Sequence, residues 1–272
     1  MSKSITNATG TRRLKVTPQA LAKRRFLSRV AAGTGALMLG GCDRLNQSEW
    51  FPKVLQAGES LSQGVHHALG GRHSMAQEFS EKDLSPSFRG NGNTDPESKE
   101  YKSMAADAFT GWKLKVDGLV ERPSSFSLAD LRKMPSRTQI TRHDCVEGWS
   151  AIGKWTGVPL AQLMAAVQPK PNARFVVFHC ADTFDDNGPV PYYESIDMHD
   201  AYHPQTILAY GLNGADLPIT NGAPLRLRVE RQLGYKHAKY VMRLELLEQF
   251  HQIGGGNGGY WEDKGYQWYA GI

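Results

Sequence analysis

Cys145 is the residue of this chain whose surroundings best suit chemistry. It follows a strand-like alternation over residues 138–142, and Arg142, His143 and Asp144 directly precede it. The thiolate form of cysteine is both a nucleophile and a soft metal ligand, and neighbouring cationic groups favour it. The alternative for any single cysteine is a small buried apolar side chain.

Two later segments combine basic side chains with backbone donors. They are Asn221–Arg226 (Asn-Gly-Ala-Pro-Leu-Arg) and Gly234–Lys239 (Gly-Tyr-Lys-His-Ala-Lys). Arginine offers a planar fork to an anion and lysine a compact charge, so both segments suit phosphate binding. Upstream, glycines and asparagines in Phe88–Asn93 could bring backbone amides close to an anion, although an ordinary turn is an equal alternative. Solvated strand ends are the favoured interpretation for Arg228, Arg231 and Arg243.

The segment Arg142–Trp149, which reads Arg-His-Asp-Cys-Val-Glu-Gly-Trp, resembles the molybdopterin-dependent oxidoreductases of the sulfite oxidase superfamily. It is most similar to the family of periplasmic methionine sulfoxide reductase catalytic subunits. The two later segments match that family's pterin-binding segments in order and spacing, and the resemblance covers roughly Phe109 to Leu247. It implies a molybdenum-molybdopterin cofactor whose metal is bound by Cys145, with no haem in this chain. The residues that the resemblance assigns to the cofactor are Asn91, Arg142, His143, Cys180, Asn221, Arg226, Lys236, His237, Ala238 and Lys239. Cys180 stands where related proteins have threonine.

Glu147 separates the reactions that such a cofactor supports. The resemblance puts this carboxylate near the metal, where sulfite oxidases have a cationic segment. A negative charge would repel sulfite and suits a neutral sulfoxide, or it could serve as a proton donor. We therefore expect Cys145 and Glu147 to be the catalytic residues of an enzyme that removes oxygen from S- or N-oxides, methionine sulfoxide among them. A surface glutamate is the alternative for Glu147.

Other functions remain open at this point. The same cofactor could oxidise sulfite or a related compound, or the chain could be a cofactor-free binding lipoprotein tethered to a membrane. Zinc would need three or four clustered ligands, whereas His199 and His203 form one pair without a suitable third. Two thiols in an oxidising compartment could also pair, which would join Cys145 to Cys180.

The N-terminal 42 residues have the layout of an export signal. They contain eight Lys or Arg and no acidic residue, which leaves 24 basic and 27 acidic residues in the rest of the chain. The net positive charge therefore comes from the leader and does not indicate a nucleic-acid-binding surface. Lys23–Leu27 resembles a twin-arginine motif with Lys in place of the first Arg, and Leu39–Cys42 resembles a lipobox. We expect a periplasmic protein held at the inner membrane by lipidated Cys42. The family resemblance further implies a membrane-bound electron-transfer subunit and an oxidised small molecule or protein as substrate. We expect a monomer, because the stretch after Leu247 is short for the immunoglobulin-like dimerisation domain of sulfite oxidases.

Periodicity predicts an α+β domain that is mixed and mostly β, of the sulfite oxidase type. Ser127 and Asp130 cap a short helix, and apolar residues mark a second helix from Leu160. Asn213-Gly214 predicts a hairpin between residues 206–210 and 218–220. Further strands are expected over residues 111–120, 175–178, 224–229 and 240–247, and a short helix over 195–201. The predicted organisation is an export signal (1–42), a tether and extended segment (43–107), the catalytic core (108–250) and a Gly-rich hinge with an aromatic clasp (251–272).

Overall fold

The computed structural model describes Ser48 and residues 50–70, 74–184 and 190–272. The chain divides into two units, residues 1–60 and 61–272, and both sheets belong to the second. The predicted export signal, with the twin-arginine-like motif and Cys42, lies outside the described residues. Within the described ranges no helix combines the length and the apolar character that a membrane crossing requires.

Two five-stranded sheets make up the second unit. The first has the order β2-β1-β10-β5-β6, in which β1 and β10 run parallel and all other neighbours are antiparallel. The second has the order β3-β4-β7-β8, with β9 also paired to β7, and is antiparallel throughout. The strands are β1 (Lys113–Gly118), β2 (Ser124–Ser127), β3 (Arg137–Asp144), β4 (Ser150–Pro159), β5 (Phe175–Phe184), β6 (Val190–Asp197), β7 (Ile207–Leu212), β8 (Ala215–Asp216), β9 (Arg226–Arg228) and β10 (Val241–Leu247).

Five α-helices accompany the sheets in the described ranges: α1 (Phe51–Gly70), α2 (Lys99–Ala106), α3 (Leu128–Lys133), α4 (Leu160–Val167) and α5 (Met198–Ala201). α4 turns Leu160, Leu163, Met164 and Val167 into the core, as its periodicity predicts. The predicted capping box of α3 is present, since Ser127 and Asp130 exchange hydrogen bonds. The expectation of a mixed, mostly β domain is confirmed.

Four local predictions need correction. Strand β4 was missed, because Gly153, Gly157 and Pro159 resemble strand breakers although the side chains between them alternate in burial. α1 and α2 interrupt the segment predicted to be extended. The short helix begins at Met198, since Ser195 still belongs to β6, and residues 219–221 form a 3₁₀ turn instead of a strand. For β4 and β6, pairing with strands distant in the chain decided between conformations that the local sequence allows.

Candidate active site

Cys145 begins the tight turn that joins β3 to β4. Its amide donates to the carbonyl of Trp149 at 2.9 Å, and the amide of Gly148 donates back to the carbonyl of Cys145 at 3.0 Å. The hairpin therefore ends in a five-residue connection whose position is set by the paired strands beneath it. A cysteine in such a turn is held on a rigid scaffold while its thiol remains half-buried.

The turn forms one side of an open cleft whose space, with the adjoining solvent, is about 610 Å³. The lining comes from the upstream Asn-Gly segment, the β3–β4 turn, β5 and β6, the Gly234–Lys239 segment and the C-terminal tail. The lining residues are Asn91, Gly92, Asn93, Cys145, Val146, Glu147, Asp182, Phe184, Tyr192, Gly234, Tyr235, His237, Lys239, Trp261 and Tyr266.

Two buried cations, Arg226 and Lys239, lie at this cleft. Nη2 of Arg226 reaches Oδ1 of Asn91 at 3.4 Å, and Nζ of Lys239 donates to the carbonyl of Asn91 at 2.6 Å. Within the described part of the chain, neither cation forms an ion pair with a carboxylate. Burial, with a further contribution from the charge of Arg226, lowers the pKa of Lys239 to about 7. Burial, with a further contribution from the charge of Arg228, lowers the pKa of Arg226 to about 9. Buried charges without partners are costly, so this pair fits an anionic ligand.

Two neutral histidines stand next to the cations. Burial, followed by nearby arginines, holds the pKa of His143 and of His237 well below the usual range. Nε2 of His237 donates to the carbonyl of Gln232 at 3.0 Å, which leaves its Nδ1 as an acceptor. Nδ1 of His237, Nε2 of His143 and Nε of Arg226 are buried without a hydrogen-bond partner among the described residues. A ligand that carries both donors and acceptors would satisfy these atoms.

Gly234 illustrates how closely the backbone approaches this group. A Cβ atom at Gly234 would lie 2.5 Å from Nε2 of His143, so any larger residue would displace the ring. Gly234 also lines the cleft. The glycine thus lets the Gly234–Lys239 segment pack closely over His143. Two segments that the sequence assigns to the cofactor, Gly234–Lys239 and Arg142–Trp149, are therefore in contact.

Asp182 is a titratable group of the cleft that the sequence did not reveal. Burial raises the pKa of Asp182 to about 7, against the opposing charge of Lys239. Its Oδ1 has no hydrogen-bond partner in the described structure. The neighbouring Cys180 contacts the carbonyl of Phe178 through its thiol at 3.9 Å, and burial raises the pKa of that thiol well above its usual value.

The structure groups most of the predicted site residues. Asn91, Cys145, Glu147, His237 and Lys239 line the cleft. Asn221, Arg226 and Ala238 are buried beside it, and Nδ2 of Asn221 donates to the carbonyl of Phe88 at 3.3 Å. Their roles toward a cofactor remain predictions, but their proximity follows from the fold.

Seven of the ten predicted cofactor residues are absent from the cleft lining. His143, Asn221, Arg226 and Ala238 are buried beside it, and the other three are Arg142, Lys236 and Cys180. Arg142 is exposed and pairs with Asp144, because strand alternation turns it away from the face that carries His143 and Cys145. Nζ of Lys236 is wholly buried between the carboxylates of Glu194 and Glu262, so its charge is already neutralised. The Cys180 side chain is absent from the lining as well. For the side chains of Arg142 and Lys236, the structure does not support direct anion binding.

Arg228 is buried, although the sequence favoured a solvent-exposed position for it. It was interpreted as a solvated strand end, yet it is fully buried, pairs with Glu230 at 2.6 Å and lies 4.4 Å above the ring of Trp155. Nothing in the local sequence separates Arg228 from an exposed arginine. One sequence signal could have indicated an ion pair. Glu230 follows Arg228 by two residues, the spacing that puts both side chains on the same face of an extended segment.

The structure also places the residues of the two rival hypotheses, a disulfide and a zinc site on His199 and His203. Cys145 and Cys180 are both free. His203 contacts the carbonyl of Ser74, whereas His199 lies with His67, Asp197 and Asp200. The candidate ligand atoms of these four side chains lie within 4.8 Å of one another. The rings of His67 and His199 are stacked 4.0 Å apart, and Arg231 already binds both His199 and Asp200.

Comparison with known proteins gives a consistent result. The family model for the oxidoreductase molybdopterin binding domain matches residues 102–253. A protein of Azospira oryzae named "Putative protein-methionine-sulfoxide reductase subunit YedZ1" is 36% identical over 250 residues, which are 92% of this chain and 88% of that protein. The protein-methionine-sulfoxide reductase catalytic subunit MsrP of Xanthomonas campestris is 33% identical over 260 residues, 90% of this chain and 77% of that one. Among solved structures, the sulfane dehydrogenase SoxCD of Paracoccus pantotrophus is 25% identical with a TM-score of 0.46, over 52% of this chain and 39% of that chain.

Proposed function

This chain belongs to the oxidoreductase molybdopterin binding domain family, and on that premise we propose that it is a molybdenum-molybdopterin enzyme that reduces sulfoxides, methionine sulfoxide in particular. The names of its relatives support the substrate, because the chain matches most of the length of two proteins named as methionine sulfoxide reductase subunits. The reaction takes up a pair of electrons and a pair of protons, breaks the sulfur–oxygen bond, and releases the sulfide and water.

One observation carries this proposal. The Cys145 thiol and the buried cation Lys239 line the cleft, and a second buried cation, Arg226, lies beside it. Among the described residues neither cation has a carboxylate within ion-pair distance, although Asp182 is an electrostatic neighbour of Lys239. A soft sulfur ligand next to unpaired positive charge suits a cofactor that is at once a metal complex and a phosphate ester. The bound group would supply the redox centre at which the oxygen atom is transferred.

The residues divide into two sets around that group. Cys145 would bind the molybdenum. Lys239 and Arg226 would neutralise the phosphate, while Asn91, Asn221 and the backbone around Ala238 would bind the pterin and its side chain. His143 and His237, both neutral, offer one free ring nitrogen each to the pterin.

Glu147 is our candidate for the proton donor. It is exposed at the cleft edge, two residues from Cys145, and its Oε2 accepts a hydrogen bond from Nε1 of Trp149 at 3.0 Å. This hydrogen bond restricts the carboxyl to the side of the turn that faces the cleft. Contact with solvent lets the group regain a proton after each turnover.

The cellular setting is also part of the proposal. We infer a periplasmic enzyme, exported by the twin-arginine route and anchored to the inner membrane through Cys42. It would act as a monomer without haem and receive electrons from a membrane-bound subunit. The word "subunit" in the names of its relatives supports a partner. Replacement of Cys42 by Ser should release the protein from washed membranes if the anchor is a lipid.

The decisive experiment compares wild-type protein with Cys145→Ser, both purified from the native host. We expect about one molybdenum per wild-type chain and reduction of methionine sulfoxide with a reduced viologen dye as the electron donor. The variant should fold, contain little molybdenum and be inactive. Wild-type protein that contains molybdenum but oxidises sulfite and leaves sulfoxides unchanged would contradict the proposed reaction.

A further inference from the structure

The C-terminal tail supplies one wall of the cleft. Trp261 and Tyr266 both line it, on a segment that lies more than a hundred residues from Cys145 in the chain. Their rings pack against each other with centroids 5.4 Å apart and planes inclined by 31°. The amide of Tyr266 donates to the carbonyl of Trp261 at 3.0 Å, so a closed turn holds the two rings as a unit.

The tail is attached to the domain by a buried ion cluster. Glu262, which follows Trp261 directly, is 3% exposed and binds Nζ of Lys236 together with Glu194 of β6. A Cβ atom at Gly259 would lie 2.0 Å from Oε2 of Glu262, so only glycine leaves space for this carboxylate. The Gly-rich stretch is therefore closely packed here, and the position of the wall is defined.

A second contact ties the wall to the cofactor segment. The ring of Tyr235 meets that of Tyr266 edge to face at 5.2 Å, and its hydroxyl donates to the carbonyl of Gln267 at 2.6 Å. Tyr235 lies within Gly234–Lys239 and also lines the cleft. The aromatic rings thus stand at a fixed place relative to the residues that would hold the cofactor.

Two parts of the cleft lining differ in chemistry. Cys145 and Glu147 present sulfur and a carboxyl group, whereas Trp261 and Tyr266 present aromatic carbon. A methyl sulfoxide divides in the same way, with a polar sulfur–oxygen bond and apolar carbons on the sulfur. Aromatic rings bind such carbons through buried apolar area and also favour contact with sulfur. Tyr266 is 41% exposed, so the rim leaves room for the remainder of a longer substrate.

We propose that Trp261 and Tyr266 determine substrate specificity by packing against the methyl and methylene groups of a methionine sulfoxide side chain. This inference rests on the proposed sulfoxide reduction and adds the residues that select among sulfoxides. The wall favours a substrate with an alkyl chain over the smallest sulfoxides, because each methylene buried against it adds binding free energy.

The test uses two sulfoxides that undergo the same chemistry and differ in apolar length, N-acetylmethionine sulfoxide and dimethyl sulfoxide. In the molybdenum-loaded enzyme, Trp261→Ala should raise KM for the longer substrate about tenfold or more, with kcat and molybdenum content little changed. KM for dimethyl sulfoxide should change much less. Tyr266→Phe keeps the ring and should resemble wild type, whereas Tyr266→Ala should weaken binding in the same direction.

A binding measurement separates this role from catalysis. Calorimetry with the oxidised enzyme and no electron donor should show the same loss of affinity for N-acetylmethionine sulfoxide in Trp261→Ala. Should Trp261→Ala not fold, the rim variant Tyr266→Ala carries the test. Equal effects on both substrates, or none on either, would overturn the inference. A wild-type enzyme that reduces neither sulfoxide would refute the proposed function and this inference together.

Discussion

Nη1 of Arg228 lies 3.0 Å from Nδ1 of His143, and both side chains are almost wholly buried. Arginine only donates hydrogen bonds, so Nδ1 must accept and the ring proton must be on Nε2. That atom has no partner in the described structure and lies beside Gly234 at the cleft. Arg228 therefore orients a histidine N–H toward the site from a position outside the cleft lining.

Removal of Arg228 should be severely destabilising. Arg228 and Glu230 form an ion pair in which both side chains are fully buried, so Arg228→Leu leaves the Glu230 charge uncompensated. We expect a loss of about 3–5 kcal/mol in the free energy of unfolding, measured by urea denaturation. The double variant Arg228→Leu with Glu230→Gln should recover part of that loss. A single variant as stable as wild type would show that this ion pair contributes nothing to the fold.

Glu194 should make stability depend on pH. Burial, then the charge of Glu262, raises the pKa of Glu194 well above its usual value in the folded protein. Because the pKa of this carboxyl is higher in the folded than in the unfolded protein, its protonation stabilises the folded state. This contribution to the free energy of unfolding is complete below the unfolded pKa of about 4 and is lost as the pH rises through the folded pKa. The free energy of unfolding of wild type should thus fall relative to Glu194→Gln between acid and neutral pH. The exposed Glu121→Gln is the control and should follow wild type at every pH.

Lys239 should make cofactor binding depend on pH. Burial and Arg226 lower the pKa of Lys239 to about 7 in the cofactor-free protein, where Asp182 and Cys180 are its other charged or titratable neighbours. An anionic ligand favours the ammonium form, so binding takes up a proton and weakens as pH rises above about 7. Reconstitution of cofactor-free protein at a series of pH values, scored by molybdenum content, should show this decline.

Lys239→Gln should bind less cofactor and lose most of the pH dependence, whereas the exposed Lys133→Gln should behave as wild type does. If Lys239→Gln retained both full loading and the wild-type pH profile, another group would have to account for the phosphate binding.

Glu147→Gln separates proton donation from cofactor binding. The amide keeps the shape of the side chain at the cleft edge but cannot deliver a proton. We expect kcat for methionine sulfoxide to fall by about 10²-fold, with molybdenum content unchanged. Asp144→Asn changes a carboxyl next to the same turn but outside the cleft lining, and should leave kcat near the wild-type value. An unchanged kcat in Glu147→Gln would remove it from the catalytic residues.

Several features could be predicted because local chemistry decides them. The capping box of α3 needs only Ser127 and Asp130 three residues apart, and the buried face of α4 follows from apolar spacing. Asn213-Gly214 closes the β7–β8 hairpin as its turn preference indicates. The Cys145 turn could be recognised for a related reason, since the residues that matter there are contiguous.

The tertiary structure alone decided which charged and aromatic residues belong to the site. Arg142 and Arg228 look alike in sequence, yet strand alternation exposes one and an ion pair with Glu230 buries the other. Lys236 was expected at the cofactor, but Glu262 approaches it from a tail that the local sequence does not relate to it. Burial of a charge depends on a partner elsewhere in the chain, and the position of that partner is set by sheet pairing and core packing rather than by neighbouring residues. The sequence by itself indicated the family and the candidate cysteine, whereas only the fold brought the aromatic residues of the tail to the same cleft.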